Sequence, residues 1–178
     1  MTRLAAAALV SLALVGCGET VDDRPSTLEY LTSMVLAPSC ANAQCHSTFR
    51  REEDYAFDTV EEARDSIVTY GLVTPGDPDR SILYQVLISP LGGAPPRMPY
   101  DRPMPDHDVA LIRRWIEEGA PGAACNPARD ENVCFGDELR ACGDDYSLGT
   151  LVENCASRPA GTGMRWTCLV DECVEVDQ

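Results

Sequence analysis

The segment Cys40-Ala41-Asn42-Ala43-Gln44-Cys45-His46 sets two thiols and an imidazole in close succession. Covalent attachment of a c-type haem uses that set: each thiol adds to a haem vinyl group, and the histidine after the second cysteine is carried beneath the iron as proximal ligand. The common spacing is C-x-x-C-H, whereas four residues separate these cysteines, a spacing that also permits a Cys40–Cys45 disulfide with His46 merely adjacent. A haem iron then needs a sixth ligand or an open site. Met98 and Met104 lie in a proline-rich stretch, Ser89 to Pro105, and a thioether on a stiff loop can meet the distal face. His/Met ligation raises the reduction potential relative to a bis-imidazole site and suits an electron carrier. His107, flanked by Asp106 and Asp108, is a further candidate, but a solvated imidazole is its default state.

Helical periodicity surrounds these residues. Ser26 is a candidate N-cap for a first helix that buries Leu28, Leu31 and Val35 and runs toward Pro38, into the cysteine motif. Thr59-Val60-Glu61-Glu62 has the form of a capping box, Ala63, Ile67 and Tyr70 share the face behind it, and Gly71 stops that helix. Thr74 to Pro78 reads as a rigid turn, after which Asp79 or Ser81 caps a third helix with an apolar stripe of Ile82, Leu83, Val86 and Leu87. Asp106 is read as the cap of a last helix with Val109, Ile112 and Ile116 on one face and Leu111 and Trp115 beside it, ended by Gly119.

From Ala120 onward the periodicity fades and six cysteines appear: Cys125, Cys134, Cys142, Cys155, Cys168 and Cys173. So short a segment has little core to bury, and disulfides are the expected source of its stability. Its pairing stays open among 15 possibilities. Zinc is the weaker reading, because the segment has no histidine and no paired C-x-x-C knuckles. The expected fold class is mainly α: a small helical domain over residues 26–122, then a disulfide-rich module over 123–178 with little regular structure.

The start of the chain bears on compartment. Thr2 and Arg3 precede an apolar run from Leu4 to Val15 that is too short for a lasting membrane span and reads as a signal peptide over residues 1–16. Leu14-Val15-Gly16-Cys17 resembles the bacterial lipobox, which implies lipidation of Cys17, with residues 17–25 as anchor and tether. Gly18, in place of an aspartate, points by the same resemblance to the outer membrane. Export is compatible with disulfides and with haem c alike. The formal charge of -15 argues against a nucleic-acid partner and would steer a basic redox protein toward the surface. The acidic pairs Asp22-Asp23, Glu52-Glu53 and Asp144-Asp145 read as solvated surface, and no Gly-rich phosphate loop or G-x-S-x-G elbow is present.

The order of C-x-x-x-x-C-H, Pro75-Gly76-Asp77-Pro78 with Ser81 and Leu83, Arg97-Met98-Pro99, and Ile112 to Ala120 with its Arg-Arg-Trp-Ile-Glu-Glu-Gly centre resembles the cytochrome c-like domains of planctomycete and myxobacterial envelope lipoproteins, over roughly residues 26–122. That resemblance implies a class I cytochrome c-like helical fold around one covalent haem c, with His46 as proximal ligand. Met98, within R-M-P, is the better distal match, and Met104, which also precedes a proline, is the runner-up. The function expected on this basis is a lipid-anchored envelope protein that carries single electrons and is not an enzyme. Its partners would be a redox protein and the lipid bilayer. The alternatives are a haem-free, disulfide-stabilised binding or scaffolding lipoprotein, and an iron site with a weak sixth ligand that activates peroxide.

Overall fold

The structure is a computed structural model that describes residues 22–178. The expected signal peptide, Cys17 and the tether as far as Val21 lie outside the described residues.

Thr27, not Ser26, opens the first helix, its hydroxyl accepting from the Tyr30 N–H; Ser26 instead hydrogen-bonds Glu118. Helix α1 (Leu28–Leu31) widens into a π turn over Thr32–Leu36 and closes as α2 (Ala37–Cys40). Pro38 has no N–H to donate, and the wider turn, with the Ala37 N–H reaching the Thr32 carbonyl, carries the chain across it. The helix therefore continues past Pro38 and presents Cys40 in its last turn.

Helix α3 (Val60–Tyr70) is capped by the Thr59 hydroxyl, which accepts from the Glu62 N–H, and is ended by Gly71 in the left-handed region at φ 62°. The Glu62 side chain does not turn back to complete a capping box; it pairs with Arg51. Ser81 is the N-cap residue of α4 (Ile82–Ile88), but its hydroxyl serves the preceding turn, donating to the Asp77 carbonyl and accepting from the Thr74 N–H, and makes no capping bond. Asp106 is the first residue of α5 (Asp106–Glu117), not its cap.

These helices share one apolar core in which Leu28, Leu31, Ile67, Leu111, Ile112, Trp115 and Ile116 are almost wholly enclosed. The Trp115 indole N–H donates to the Pro121 carbonyl at 3.1 Å, so the largest core side chain buries its polar atom with a partner.

The expectation of a mainly α chain is overturned. The protein is an α/β mixture, with 33% of the described residues helical and 18% in strands, because the cysteine-rich segment forms two antiparallel sheets. Strands β1 (Asn132–Phe135), β2 (Glu138–Cys142) and β3 (Leu148–Asn154) make one sheet in that order, and β4 (Met164–Leu169) pairs with β5 (Glu172–Asp177). Two hairpins turn in two residues, Gly136-Asp137 and Val170-Asp171, with Gly136 and Val170 at positive φ. The strands escaped sequence reading because they are short and mostly half-buried or exposed, so alternation such as Met164-Arg165-Trp166-Thr167-Cys168 in β4 runs for too few residues to stand out and backs onto little core.

Three disulfides tie the sheets: Cys125–Cys142, Cys134–Cys168 and Cys155–Cys173. Their loops overlap in sequence, so each staple constrains a segment shared with the next. Cys168 and Cys173 face each other across β4 and β5, yet they bond to different partners on the far side. The associated core is small: Leu139, Cys155, Cys168 and Cys173.

Residues 22–26 lie against α5. The Arg24 guanidinium bridges Asp22 and Asp108 and donates to the His107 carbonyl at 2.7 Å. Arg114 donates to the Asp22 and Arg24 carbonyls, both at 2.5 Å. Asp22, read from sequence as solvated surface, is thus engaged, and hydrogen bonding to Arg24 holds its carboxyl down at about 2.

Candidate functional site

The wide spacing between the cysteines folds into a compact turn. The Cys45 N–H donates to the Asn42 carbonyl at 3.0 Å, and the His46 N–H reaches back to the Cys40 carbonyl at 3.1 Å. The Asn42 side chain accepts from the Gln44 N–H at 3.1 Å. The four intervening residues are thereby looped out, and the helix end bearing Cys40 is brought to the histidine.

Both motif cysteines are free thiols and half-buried, in a chain whose six described C-terminal cysteines are all bonded. Apolar surroundings raise the Cys40 thiol to about 12, and the nearby Cys45 pushes the same way. At neutral pH Cys40 is accordingly a neutral thiol.

His46 is fixed at ring and backbone. Its Nδ1 lies 2.8 Å from the Glu52 carbonyl oxygen. A carbonyl can only accept, so Nδ1 carries the hydrogen and the neutral ring keeps its lone pair on Nε2, the form a metal requires. The His46 carbonyl accepts from the Phe57 N–H at 2.8 Å, and the rings of Tyr55 and Phe57 flank the imidazole with centroids 5.7 and 5.6 Å away.

The His46 ring lines a cavity of about 400 Å³. Its walls come from Cys40, from Tyr55 and Phe57, from Leu83, Val86 and Leu87 on α4, and from Pro95, Pro96 and Met98 in the proline-rich loop. That size lies within the roughly 300–1,000 Å³ of typical cofactor pockets, and apolar walls with a few polar groups are their usual composition. Met98 is held in the wall by its N–H, which donates to the Val86 carbonyl on α4 at 2.8 Å. Met104 is elsewhere, in the helical core and only 5% exposed. His107 sits at the surface beside Asp108, 3.3 Å from its carboxylate, and takes no part in the cavity.

The structure therefore brings together Cys40, His46 and Met98 around one apolar hollow, with Cys45 next to it, and separates Met104 and His107 from it. The donor set fits a covalent haem c: two thiols, an imidazole already in the right tautomer, and a thioether on a loop tied to the opposite element. Sequence reading missed the Glu52 carbonyl, since a backbone acceptor leaves no mark in residue type, and it missed Tyr55 and Phe57 as walls. The near-alternate aromatics after the motif were the available signal.

A second hollow of about 390 Å³ lies between Ile67–Asp77 and the cysteine-rich segment, but neither free thiol nor imidazole reaches it. Among the described residues no group of three or more His, Cys, Asp or Glu side chains could hold a metal ion on its own, and no helix is long and apolar enough to cross a membrane. No known protein family, curated protein or solved structure matches this chain.

Proposed function

We propose that this is a lipid-anchored protein of the bacterial envelope that holds one covalent haem c and passes single electrons. The observation that carries the proposal is the joint lining of one apolar cavity by Cys40, His46 and Met98, with Cys45 folded beside Cys40. The resemblance of the motif order to cytochrome c-like envelope domains supports it. So does the free state of the two motif thiols, beside three disulfides that make the C-terminal segment self-sufficient. When bound, the haem supplies a one-electron couple.

The chain's own residues would divide the work. Cys40 and Cys45 would hold the group by thioether bonds, and His46 Nε2 and the Met98 thioether would be the donors to its iron. The Glu52 carbonyl keeps the His46 proton on Nδ1, which orients the ring and raises its basicity. Leu83, Val86, Leu87, Phe57 and the two prolines exclude water, and a drier, less polar surrounding disfavours the more positively charged oxidised state. Acidic composition would favour encounter with a basic partner at low salt.

Production of the full chain with a haem c maturation system tests this reading. The expected product keeps haem colour on the polypeptide after boiling in detergent and loses it in Cys40→Ala/Cys45→Ala. A product that never takes up haem, with all eight cysteines beyond Cys17 in disulfides, supports the haem-free disulfide-stabilised module instead.

A further inference from the structure

Between the motif and α3 the chain passes through a turn that its side chains do not favour. Arg51, Glu53 and Asp54 adopt φ of 48°, 55° and 66°, the left-handed region that suits glycine, and none of them is glycine. The turn has two outputs. The Glu52 N–H returns to the Cys45 carbonyl at 3.2 Å, and the Glu52 carbonyl faces His46 Nδ1 at 2.8 Å. It also has an external tie: Arg51 reaches across to Glu62 in the first turn of α3, both side chains only partly exposed. That tie uses the carboxylate a capping box would have claimed.

We infer that the Arg51–Glu62 pair is a positioning device: it locks the strained turn onto α3 so that the Glu52 carbonyl fixes His46 as its Nδ1–H tautomer before any metal or cofactor arrives. An unconstrained turn with three non-glycine residues at positive φ relaxes, and relaxation of residues 51–54 moves the Glu52 carbonyl off Nδ1. A free neutral imidazole favours the Nε2–H form, which presents a hydrogen where a metal needs a lone pair. The pair therefore prepares the site without touching it. Arg51 and Glu62 are positioning residues, and the local strain is balanced by an ion pair on the helix that also backs the core through Ala63 and Ile67. The purpose assigned to the lock rests on His46 being an iron ligand, but the lock itself does not require haem.

Nitrogen-15 NMR of the full chain produced without haem maturation, at alkaline pH where the imidazole is neutral, reads the tautomer directly. The wild-type protein should be predominantly Nδ1–H at His46. Arg51→Gln and Glu62→Gln should each lower the ratio of Nδ1–H to Nε2–H several-fold while the α3 backbone shifts persist, and the exchanged pair Arg51→Glu/Glu62→Arg should recover it. Predominant Nε2–H in the wild type, or an unchanged ratio in both single variants, would overturn the inference. In the haem-loaded chain Arg51→Gln gives a second readout. Removing a positive charge alone lowers the reduction potential, whereas a weaker hydrogen bond to the proximal imidazole raises it, so a rise is expected and a fall contradicts the lock. Failure of haem to attach would sink the proposed function and leave the tautomer result standing.

Discussion

The helical segment and the cysteine-rich segment reach stability by opposite routes. In the first, α1, α3, α4 and α5 bury leucine and isoleucine side chains around Trp115, and Cys40 and Cys45, the free cysteines among the described residues, cross-link nothing, Cys40 lining a cavity instead. In the second, the buried cluster amounts to Leu139 and three half-cystines, and the strands are held chiefly by hydrogen-bonded ladders and cross-links. An apolar cavity can be hollowed out of the first because its core is large enough to spare the contacts. The second has no such surplus. The two nonetheless touch: Phe135 and Leu148 close on Gly76 and Gly119, where a Cβ would collide with them at 2.8 and 2.3 Å, and Arg64 stacks over Tyr146.

Reduction should break this comparison most visibly. Loss of all three disulfides is expected to melt the strand signals of residues 132–177 while helical circular dichroism persists; loss of both together would show the sheets to be part of the helical core. Taken singly, the Cys134–Cys168 pair, separated by 34 positions in sequence, should cost about 4 kcal/mol when replaced by alanines, and the pairs separated by 17 and 18 about 3 kcal/mol, from the loop entropy they remove.

Trp115→Ala attacks the other region. A fully buried indole replaced by a methyl group should cost about 3–5 kcal/mol in chemical denaturation and leave the disulfide-bonded sheets in register.

A sharper contrast lies within the helical segment, between its two loop methionines. Met104→Ala should cost about 2–3 kcal/mol, because its side chain is in the core. Met98→Ala should cost less stability but should change the low-spin spectrum and lower the reduction potential of the haem-loaded protein. Equal behaviour of the two would remove the distinction between wall and core.

The smallest effect concerns the strap over α5. The Asp22 carboxyl is depressed to about 2 in the folded chain, against about 3.9 when unfolded. Its contribution is therefore present above the unfolded value and is lost as pH falls from about 4 toward 2. Amide exchange at residues 22–26 should accelerate over that window, with α5 itself still protected.

Much of the helical framework was legible. Thr59 and Gly71 bracket α3 because their chemistry at a helix end is local, and Leu111, Ile112, Trp115 and Ile116 announce α5 by spacing alone. What stayed hidden depends on contacts distant in sequence or on backbone atoms. The Glu62 carboxylate was claimed by Arg51 rather than by its own cap, the Glu52 carbonyl acts through an atom every residue shares, and Asp22 is seated on α5 by Arg114, which meets its carbonyl only in the folded chain. The five strands were hidden for a different reason: each spans seven residues or fewer and most of its side chains are half-buried or exposed, so cross-links rather than a long apolar face hold it. Met98 and Met104 carry the same local signature, each before a proline, and only the fold puts one in the cavity wall and the other in the core.

The most direct measurement is the intact mass, under denaturing conditions, of the chain coexpressed with a haem c maturation system. The expected result is one added haem, located by peptide mapping to Cys40 and Cys45. A mass without haem, short of two hydrogens at Cys40 and Cys45 because they have joined in a disulfide, would contradict it.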